Sequence, residues 1–152
     1  YYDLKDYEKG MGYHEKCLEV YKATYGENHA LVATTYLGIG KGASAKKDYQ
    51  KACDNYVRAL NVYLKVYGPN HPSTASSYSQ LGDFFAKLGQ HEQALEFFAV
   101  ALGINKKVFG DNHPSVGTIG KKIMYLYHLI QESEEKGKIE ETEKTGEADN
   151  VT

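Results

Sequence analysis

Apolar residues recur with helical spacing in two successive segments near the middle of the chain. From Pro72 to about Lys87 they fall three or four residues apart, which places them on one face of a helix. The members of this face are Ala75, Tyr78, Leu81, Gly82 and Phe85. After a break at 88–90 the spacing resumes at Ala94, Leu95, Phe98, Ala101, Leu102 and Val108. The pattern predicts two helices joined by a tight turn.

This pair of helices is one unit of an internal repeat with a period of 42 residues. The linker Tyr67-Gly68-Pro69-Asn70-His71-Pro72 has counterparts 42 residues earlier, at 25–30, and 42 residues later, at 109–114. We divide the chain into a partial first repeat (1–28), two full repeats (29–70 and 71–112), a final helix (113–130) and a tail (131–152). A single hairpin cannot bury its own apolar face. We therefore predict an all-α fold of stacked antiparallel helical hairpins.

The linkers contain the residue types that end one helix and begin another. Gly68 and Gly110 suit the left-handed conformation found after a helix, and Pro72 suits a first turn. His29, His71 and His113 recur once per linker. A full repeat separates them, so we interpret them as helix caps and not as metal ligands.

Three glycines fall within the helix predicted before residue 45. The run Gly38-Ile39-Gly40-Lys41-Gly42 lacks the order of a phosphate-binding loop, and no strand precedes it. Gly40 matches Gly82, where two helices approach closely. Gly38 and Gly42 have no such counterpart, so we expect each to weaken this helix by about 1 kcal/mol.

Composition and charge narrow the function classes. The 152 residues are 41% hydrophobic and 25% charged, with a formal net charge of −2. The segment 131–152 is acidic, with a net charge of −5, and we expect helix to continue to about residue 136 and order to be lost beyond it. Residues 1–130 carry a net charge of +3, which is too small to indicate nucleic-acid binding. No apolar run approaches the ~18 residues needed to span a bilayer. The chain begins at Tyr1 within a hairpin, so we expect it to be a piece of a longer protein.

The reactive side chains show no catalytic arrangement. Cys17 and Cys53 occupy apolar positions of the repeat and are interpreted as packing residues. A bridge between them remains open at this stage, although only two cysteines favour a reducing compartment, the cytoplasm. No nucleophile, metal or paired-carboxylate motif stands at a recognisable spacing. We predict no enzymatic activity, no cofactor and no bound metal.

The repeated residues resemble the tetratricopeptide repeat. The third unit has Tyr78-x2-Leu81-Gly82-x2-Phe85, then Ala94, Phe98 and Ala101-Leu102. The 42-residue period and the His-Pro linker are similar to the repeats of kinesin light chains and nephrocystin-like proteins. The resemblance implies a right-handed superhelix whose first helices line a concave, peptide-binding surface. Kinesin light chains usually carry an Asn-Asn pair in each first helix, where this chain has Leu37-Gly38, Ser79-Gln80 and Lys121-Lys122.

Position within the repeat predicts which residues face that groove. The predicted residues are Thr34, Leu37 and Lys41 in the second unit; Ser76, Ser79, Asp83 and Lys87 in the third; and Thr118, Lys121, Tyr125 and His128 in the final helix. The lysines at three levels favour a peptide with acidic side chains.

The leading hypothesis is an interaction scaffold or adaptor that binds a partner peptide or protein, such as a kinesin light chain-like cargo adaptor. One alternative is a structural segment of a longer solenoid, with a homodimer formed through the truncated first repeat. The other is a regulatory repeat domain attached to an enzyme elsewhere in the chain.

Overall fold

A computed structural model of the chain describes residues 4–148, and every regular element in that range is an α-helix. Residues 1–3 of the predicted first repeat and residues 149–152 of the predicted tail lie outside the described residues. The helices are α1 (Leu4–Tyr25), α2 (Ala30–Ala45), α3 (Tyr49–Tyr67), α4 (Pro72–Lys87), α5 (His91–Phe109) and α6 (Pro114–Ala148). The predicted all-α repeat fold is confirmed, and α4 and α5 form the predicted hairpin.

Each helix packs mainly against its neighbours in the chain, as in other solenoids. The most extensive helix pairs are α2 with α3 and α4 with α5, while α1 packs on α2 and α6 packs on α5. Tyr78 and Phe85 of α4 contact both the core around α2 and α3 and the core around α5 and α6. One continuous core therefore positions α2, α4 and α6.

One recurring corner joins each unit to the next. In it, the last aromatic ring of one helix stacks on the histidine that begins the following helix. Centroid distances are 4.4 Å for Tyr25 and His29, 4.1 Å for Tyr67 and His71, and 4.1 Å for Phe109 and His113. Each histidine Nδ1 accepts a hydrogen bond from the backbone N–H two residues later, at 3.0 to 3.2 Å. The predicted capping role of the histidines is confirmed.

Close approach within each hairpin depends on a glycine in its first helix. A Cβ atom on Gly82 would lie 2.8 to 2.9 Å from ring atoms of Phe98, and one on Gly40 would lie 3.1 Å from the ring of Tyr56. Phe98 is fully buried, so its ring has little room to move. The aromatic ring of the second helix thus occupies the space that the glycine leaves free.

Gly38 and Gly42 also have packing partners, contrary to the expectation from the repeat. A Cβ atom on Gly38 would lie 2.8 Å from the imidazole of His14, and one on Gly42 would overlap the side chain of Met11. Both partners belong to α1. The two glycines therefore let α1 approach α2 closely, which offsets part of their cost in helix propensity.

Helix α6 is longer than the sequence predicted. Loss of order was expected beyond about residue 136, whereas the helix continues to Ala148. The segment contains no proline after Pro114, and glutamate precedes lysine by four residues at 132 and 136, 134 and 138, and 140 and 144. This spacing and order favour a helix. No helix between residues 4 and 148 combines the length and apolarity needed to cross a bilayer.

We expect Gly82→Ala to lower the free energy of unfolding by about 1 to 3 kcal/mol, because the new methyl group overpacks against Phe98. Gly103→Ala is the matched control. Gly103 lies inside α5, is exposed, and has nothing within 4 Å of an added Cβ atom. This change should stabilise the protein by about 0.5 to 1 kcal/mol. Urea unfolding followed by circular dichroism gives both values, and equal effects would contradict the packing role of Gly82.

We expect His71→Ala to destabilise the fold by about 1 to 3 kcal/mol, since it removes both the cap and the ring stack. His71→Asn keeps an N-cap acceptor and should lose only the stacking contribution, about 0.5 to 1.5 kcal/mol. Urea unfolding of the two variants separates these contributions. Equal destabilisation by alanine and asparagine would show that the hydrogen bond from Ser73 N–H contributes nothing.

Candidate functional site

Three clefts open along α2, α4 and α6, the first helices of successive units. They have volumes of about 310 Å³ between α1 and α2, about 550 Å³ between α2, α3 and α4, and about 280 Å³ between α4, α5 and α6. Lys41 lines both the first and the second cleft, and Asp83 lines both the second and the third. Neighbouring clefts therefore lie side by side, and we call the three of them the cleft row.

The same positions of each unit build the cleft row. Residues 38, 80 and 122 each line one cleft, and residues 41, 83 and 125 follow three positions later. Residues 45, 87 and 129, which follow residues 38, 80 and 122 by seven positions, also line the clefts. This spacing is one face of a helix. The 42-residue period thus brings the same helix positions to the clefts at each level, with different side chains at each.

The row continues beyond the third cleft onto the exposed side of α6. A fourth cleft of about 500 Å³ lies there, lined by Met124, Tyr125, Tyr127, His128 and Gln131. Tyr125 lines both this cleft and the third.

Ion pairing leaves the second cleft with unpaired positive charge. The Lys122 ammonium donates to both carboxylate oxygens of Asp83, at 2.9 and 3.1 Å, so the acidic group of the cleft is already neutralised. Lys41 and Lys87 line the same cleft, and neither pairs with a carboxylate among the described side chains. Its field therefore favours an anionic ligand.

Polar atoms of defined hydrogen-bonding character also line the clefts. Burial raises the pKa of Tyr56 to about 12, with a further contribution from the Asp83 carboxylate, so this phenol keeps its proton well into the alkaline range. Gln80 Oε1 in the second cleft and His91 Nδ1 in the third are buried and have no hydrogen-bond partner in the described chain. A buried polar atom without a partner costs free energy, so these two side chains would gain by turning toward a ligand in the clefts.

Several of the groove residues predicted from the sequence do lie along these clefts. Lys41, Asp83 and Lys87 line the cleft row, and Tyr125 and His128 line its extension on α6. The His128 Nε2 atom lies 3.5 Å from a carboxylate oxygen of Glu132.

The remaining predicted residues lie elsewhere. Thr34 lines a separate cleft of about 190 Å³ between α1 and α2 and donates to the Ala30 carbonyl at 2.9 Å. Leu37 is a core residue, only 8% exposed, and does not face the groove. Ser76, Ser79, Thr118 and Lys121 line none of the four clefts described above.

Three of these residues, Leu37, Ser79 and Lys121, lie one position away from a residue that lines a cleft. A shift of one position turns a side chain by about 100° around a helix. The clefts are lined by Gly38, Gln80 and Lys122, which directly follow these three residues in the sequence. The buried neighbours Ile39 and Leu81 mark the core face and could have corrected this choice.

The two cysteines do not form a disulfide with each other. Both Cys17 and Cys53 are free thiols and partly buried. Burial raises the pKa of the Cys53 thiol above its ordinary value, and the Asp54 carboxylate adds to the shift. A thiol of this kind is a poor nucleophile. Across residues 4–148, no three His, Cys, Asp or Glu side chains are grouped as a metal site.

Known proteins resemble the chain in two ways. The sequence profile of the tetratricopeptide repeat family matches residues 1–52 and 31–107, which together cover residues 1–107. No curated protein matches the chain.

Solved structures share the fold at low sequence identity. The crystal structure of BtubC (BKLC) from P. vanneervenii superposes with a TM-score of 0.75 at 17% identity, covering 96% of this chain and 59% of that one. A putative kinesin light chain from Podosopora anserina, with nearly identical TPR-like repeats, gives a TM-score of 0.72 at 18% identity over 86% of this chain and 62% of that one. A point-substituted form of that protein gives a TM-score of 0.71 at 17% identity, covering 97% of this chain and 70% of that one. The chain thus spans about three fifths of the length of the first two.

The profile match covers more than half of the chain, and the structures that resemble it are repeat solenoids. The chain therefore belongs to the tetratricopeptide repeat family, a family of protein-interaction repeats, and has the fold of kinesin light chain-like members.

Proposed function

We propose that this chain is an adaptor module that binds an extended, acidic peptide segment of a partner protein in the cleft row. The proposal rests on the succession of three clefts along α2, α4 and α6, in which Lys41 and Asp83 each line two neighbouring clefts. A row of adjacent clefts along three helices suits an extended polypeptide better than a compact small molecule. The two free thiols fit a reducing compartment, so we place this role in the cytoplasm.

Charge supports an acidic peptide. The second cleft is the largest of the row, and Lys41 and Lys87 enter it from two different helices. Because Asp83 is held by Lys122, it does little to cancel the field of the two lysines. A carboxylate placed between them would interact favourably with both, and more strongly at low salt.

Hydrogen-bonding groups support an extended backbone. Every peptide unit outside secondary structure presents a free N–H and a free carbonyl oxygen. In the second cleft, the Tyr56 hydroxyl can donate to a carbonyl oxygen, and the partly exposed Gln80 amide, once turned toward the cleft, can pair with a backbone N–H or carbonyl group. The buried ring of Phe84 lines the same cleft and offers an apolar surface for side chains.

We expect Lys41→Glu and Lys87→Glu each to weaken an acidic peptide about threefold to tenfold. The probes are fluorescein-labelled peptides selected on this chain from a phage-displayed library rich in Asp and Glu, with affinity read by fluorescence polarisation. Lys121→Glu is the matched control. It makes the same charge change on an exposed lysine of α6 outside the four clefts, so it should have less than a twofold effect at ordinary ionic strength.

Two results would contradict the groove assignment. One is an equal loss of affinity in all three variants, which would indicate a general charge effect. The other is unchanged affinity after Lys41→Glu and Lys87→Glu together. A library with Lys and Arg at the acidic positions should yield no comparable binders.

We expect Tyr56→Phe to change the alkaline stability of the protein. The unfolded chain loses the Tyr56 proton near the ordinary value of about 10, whereas the folded chain holds it to about 12. The stability contributed by the protonated group is thus intact below pH 10 and is lost as the pH rises to about 12. Urea midpoints between pH 8 and 12 should fall more steeply for wild type than for Tyr56→Phe. Asp83→Asn should lie between them, and three parallel curves would show that Tyr56 titrates normally.

A further inference from the structure

The second and third clefts are built from the same repeat positions but differ in their chemistry. A step of 42 residues along the chain leads from most lining residues of one cleft to lining residues of the other. At five such positions the second cleft has Lys41, Ser44, Tyr56, Gln80 and Lys87, and the third has Asp83, Ala86, Phe98, Lys122 and Leu129. All five side chains of the second cleft can donate a hydrogen bond, whereas only the lysine can among those of the third. The second cleft is therefore the one equipped with donors.

Packing does not account for the hydroxyl group of Tyr56. Phe98 occupies the equivalent place against Gly82 without a hydroxyl, and both rings are buried. In the same way, a leucine lines the third cleft at the position where Lys87 lines the second. The stack thus forms this kind of cleft without either donor, which indicates a role in binding.

One pair of repeat positions forms an ion pair between α4 and α6 but not between α2 and α4. At the first junction the Lys122 ammonium lies 2.9 Å from a carboxylate oxygen of Asp83. The equivalent residues at the second junction are Lys41 and Gln80, which line the same cleft. A neutral amide does not balance the charge of Lys41, and Lys87 adds a second cation. Since Asp83 is already paired, no described side chain balances these two cations.

We propose that the second cleft binds a phosphorylated side chain of the partner peptide. This inference rests on the proposed function and assigns one residue of the acidic peptide. A phosphate monoester carries a charge of about −1.5 to −2 at pH 7 and three acceptor oxygens. It therefore balances both lysines and can also accept from the Tyr56 hydroxyl and from a Gln80 amide turned toward the cleft. A carboxylate carries a single charge and leaves one of the two cations unbalanced.

The donors come from three helices that share one core. Lys41 lies on α2, Tyr56 on α3 and Lys87 on α4. The ring of Tyr56 is buried and lies 5.5 Å from the ring of Phe84, so its hydroxyl has a fixed position. Lysine side chains are long and flexible and can adjust to a compact anion. A fixed donor with two adjustable cations selects for both the place and the charge of the phosphate, so phosphorylation of the partner would strengthen the complex.

The test uses pools of synthetic peptides that differ only at a fixed centre. The centre is phosphoserine, serine, glutamate or a pair of glutamates, and all other positions are degenerate. Biolayer interferometry identifies the phosphoserine sequences that bind, and one of them is then made with each centre. We expect the phosphoserine form to bind about tenfold more tightly than the glutamate form, since its second charge adds contacts to two lysines. It should bind about threefold more tightly than the glutamate pair, which divides the same charge between two side chains.

A double variant gives the second cleft the ion pair of the third. Lys41→Asp with Gln80→Lys places between α2 and α4 the pair that Asp83 and Lys122 form between α4 and α6. Because the fold already contains this pair, the urea midpoint should remain close to that of wild type. The preference for phosphoserine over glutamate should fall from about tenfold to less than about twofold. Lys121→Gln removes the charge of an exposed lysine outside the four clefts and should leave the preference unchanged.

The pH dependence of binding gives an independent readout. A phosphate monoester gains its second charge with a pKa of about 6, whereas a glutamate side chain is already ionised at that pH. The affinity of the phosphoserine form relative to the glutamate form should therefore rise between pH 5.5 and pH 7.5. The titratable residues lining the second cleft are Lys41, Tyr56, Asp83 and Lys87. No histidine is among the described residues that line it, so the change reports the phosphate.

The phosphate assignment is wrong if the phosphoserine form binds no more tightly than the glutamate pair, or if the double variant keeps the preference. It is also wrong if inorganic phosphate alone displaces the peptide at micromolar concentration, because the ligand would then be a free phosphate compound. Binding of acidic peptides without a preference for phosphoserine would remove this inference and leave the proposed function intact. Failure of both acidic and phosphorylated peptides to bind would contradict the proposed function as well.

Discussion

The stack depends on the corner where an aromatic ring packs on the imidazole that begins the next helix. This contact fixes two things at once, since the ring holds the end of one helix and the Nδ1 atom satisfies an N–H group at the start of the next. It recurs at three linkers with nearly the same geometry. Equal corners give equal rotations between units. Equivalent side chains of α2, α4 and α6 therefore line successive clefts.

The fold could be predicted from the sequence because the repeat supplies the same evidence several times. A weak signal in one unit, such as the small residue at Gly40, gains weight when Gly82 repeats it. The capping role of the linker histidines could also be predicted, since His71 stands before a proline suited to a first helical turn. These features depend on local chemistry and on periodicity, both of which a sequence displays directly.

The candidate site was harder to predict because periodicity does not show which face of a helix points inward. Leu37 and Gly38 both stand at positions that recur every 42 residues. Only the packing of the folded chain shows that Leu37 lies in the core and that Gly38 lines a cleft. The glycines of α2 illustrate a second limit. Gly42 stands at the position that Phe84 occupies one repeat later, so comparison between repeats does not explain a glycine there. The explanation is the side chain of Met11 in α1, which occupies the space next to Gly42. Contacts specific to one level of the stack cannot be read from the other levels.

The end of α6 shows local propensity overriding composition. A high density of charge suggested loss of order, yet the glutamates and lysines are good helix formers and stand in a favourable order. Composition indicates whether a segment can form a hydrophobic core. The part of α6 beyond residue 131 forms none, since its described side chains are exposed. A long helix can nevertheless continue from a packed first half, because extending a helix costs much less than starting one.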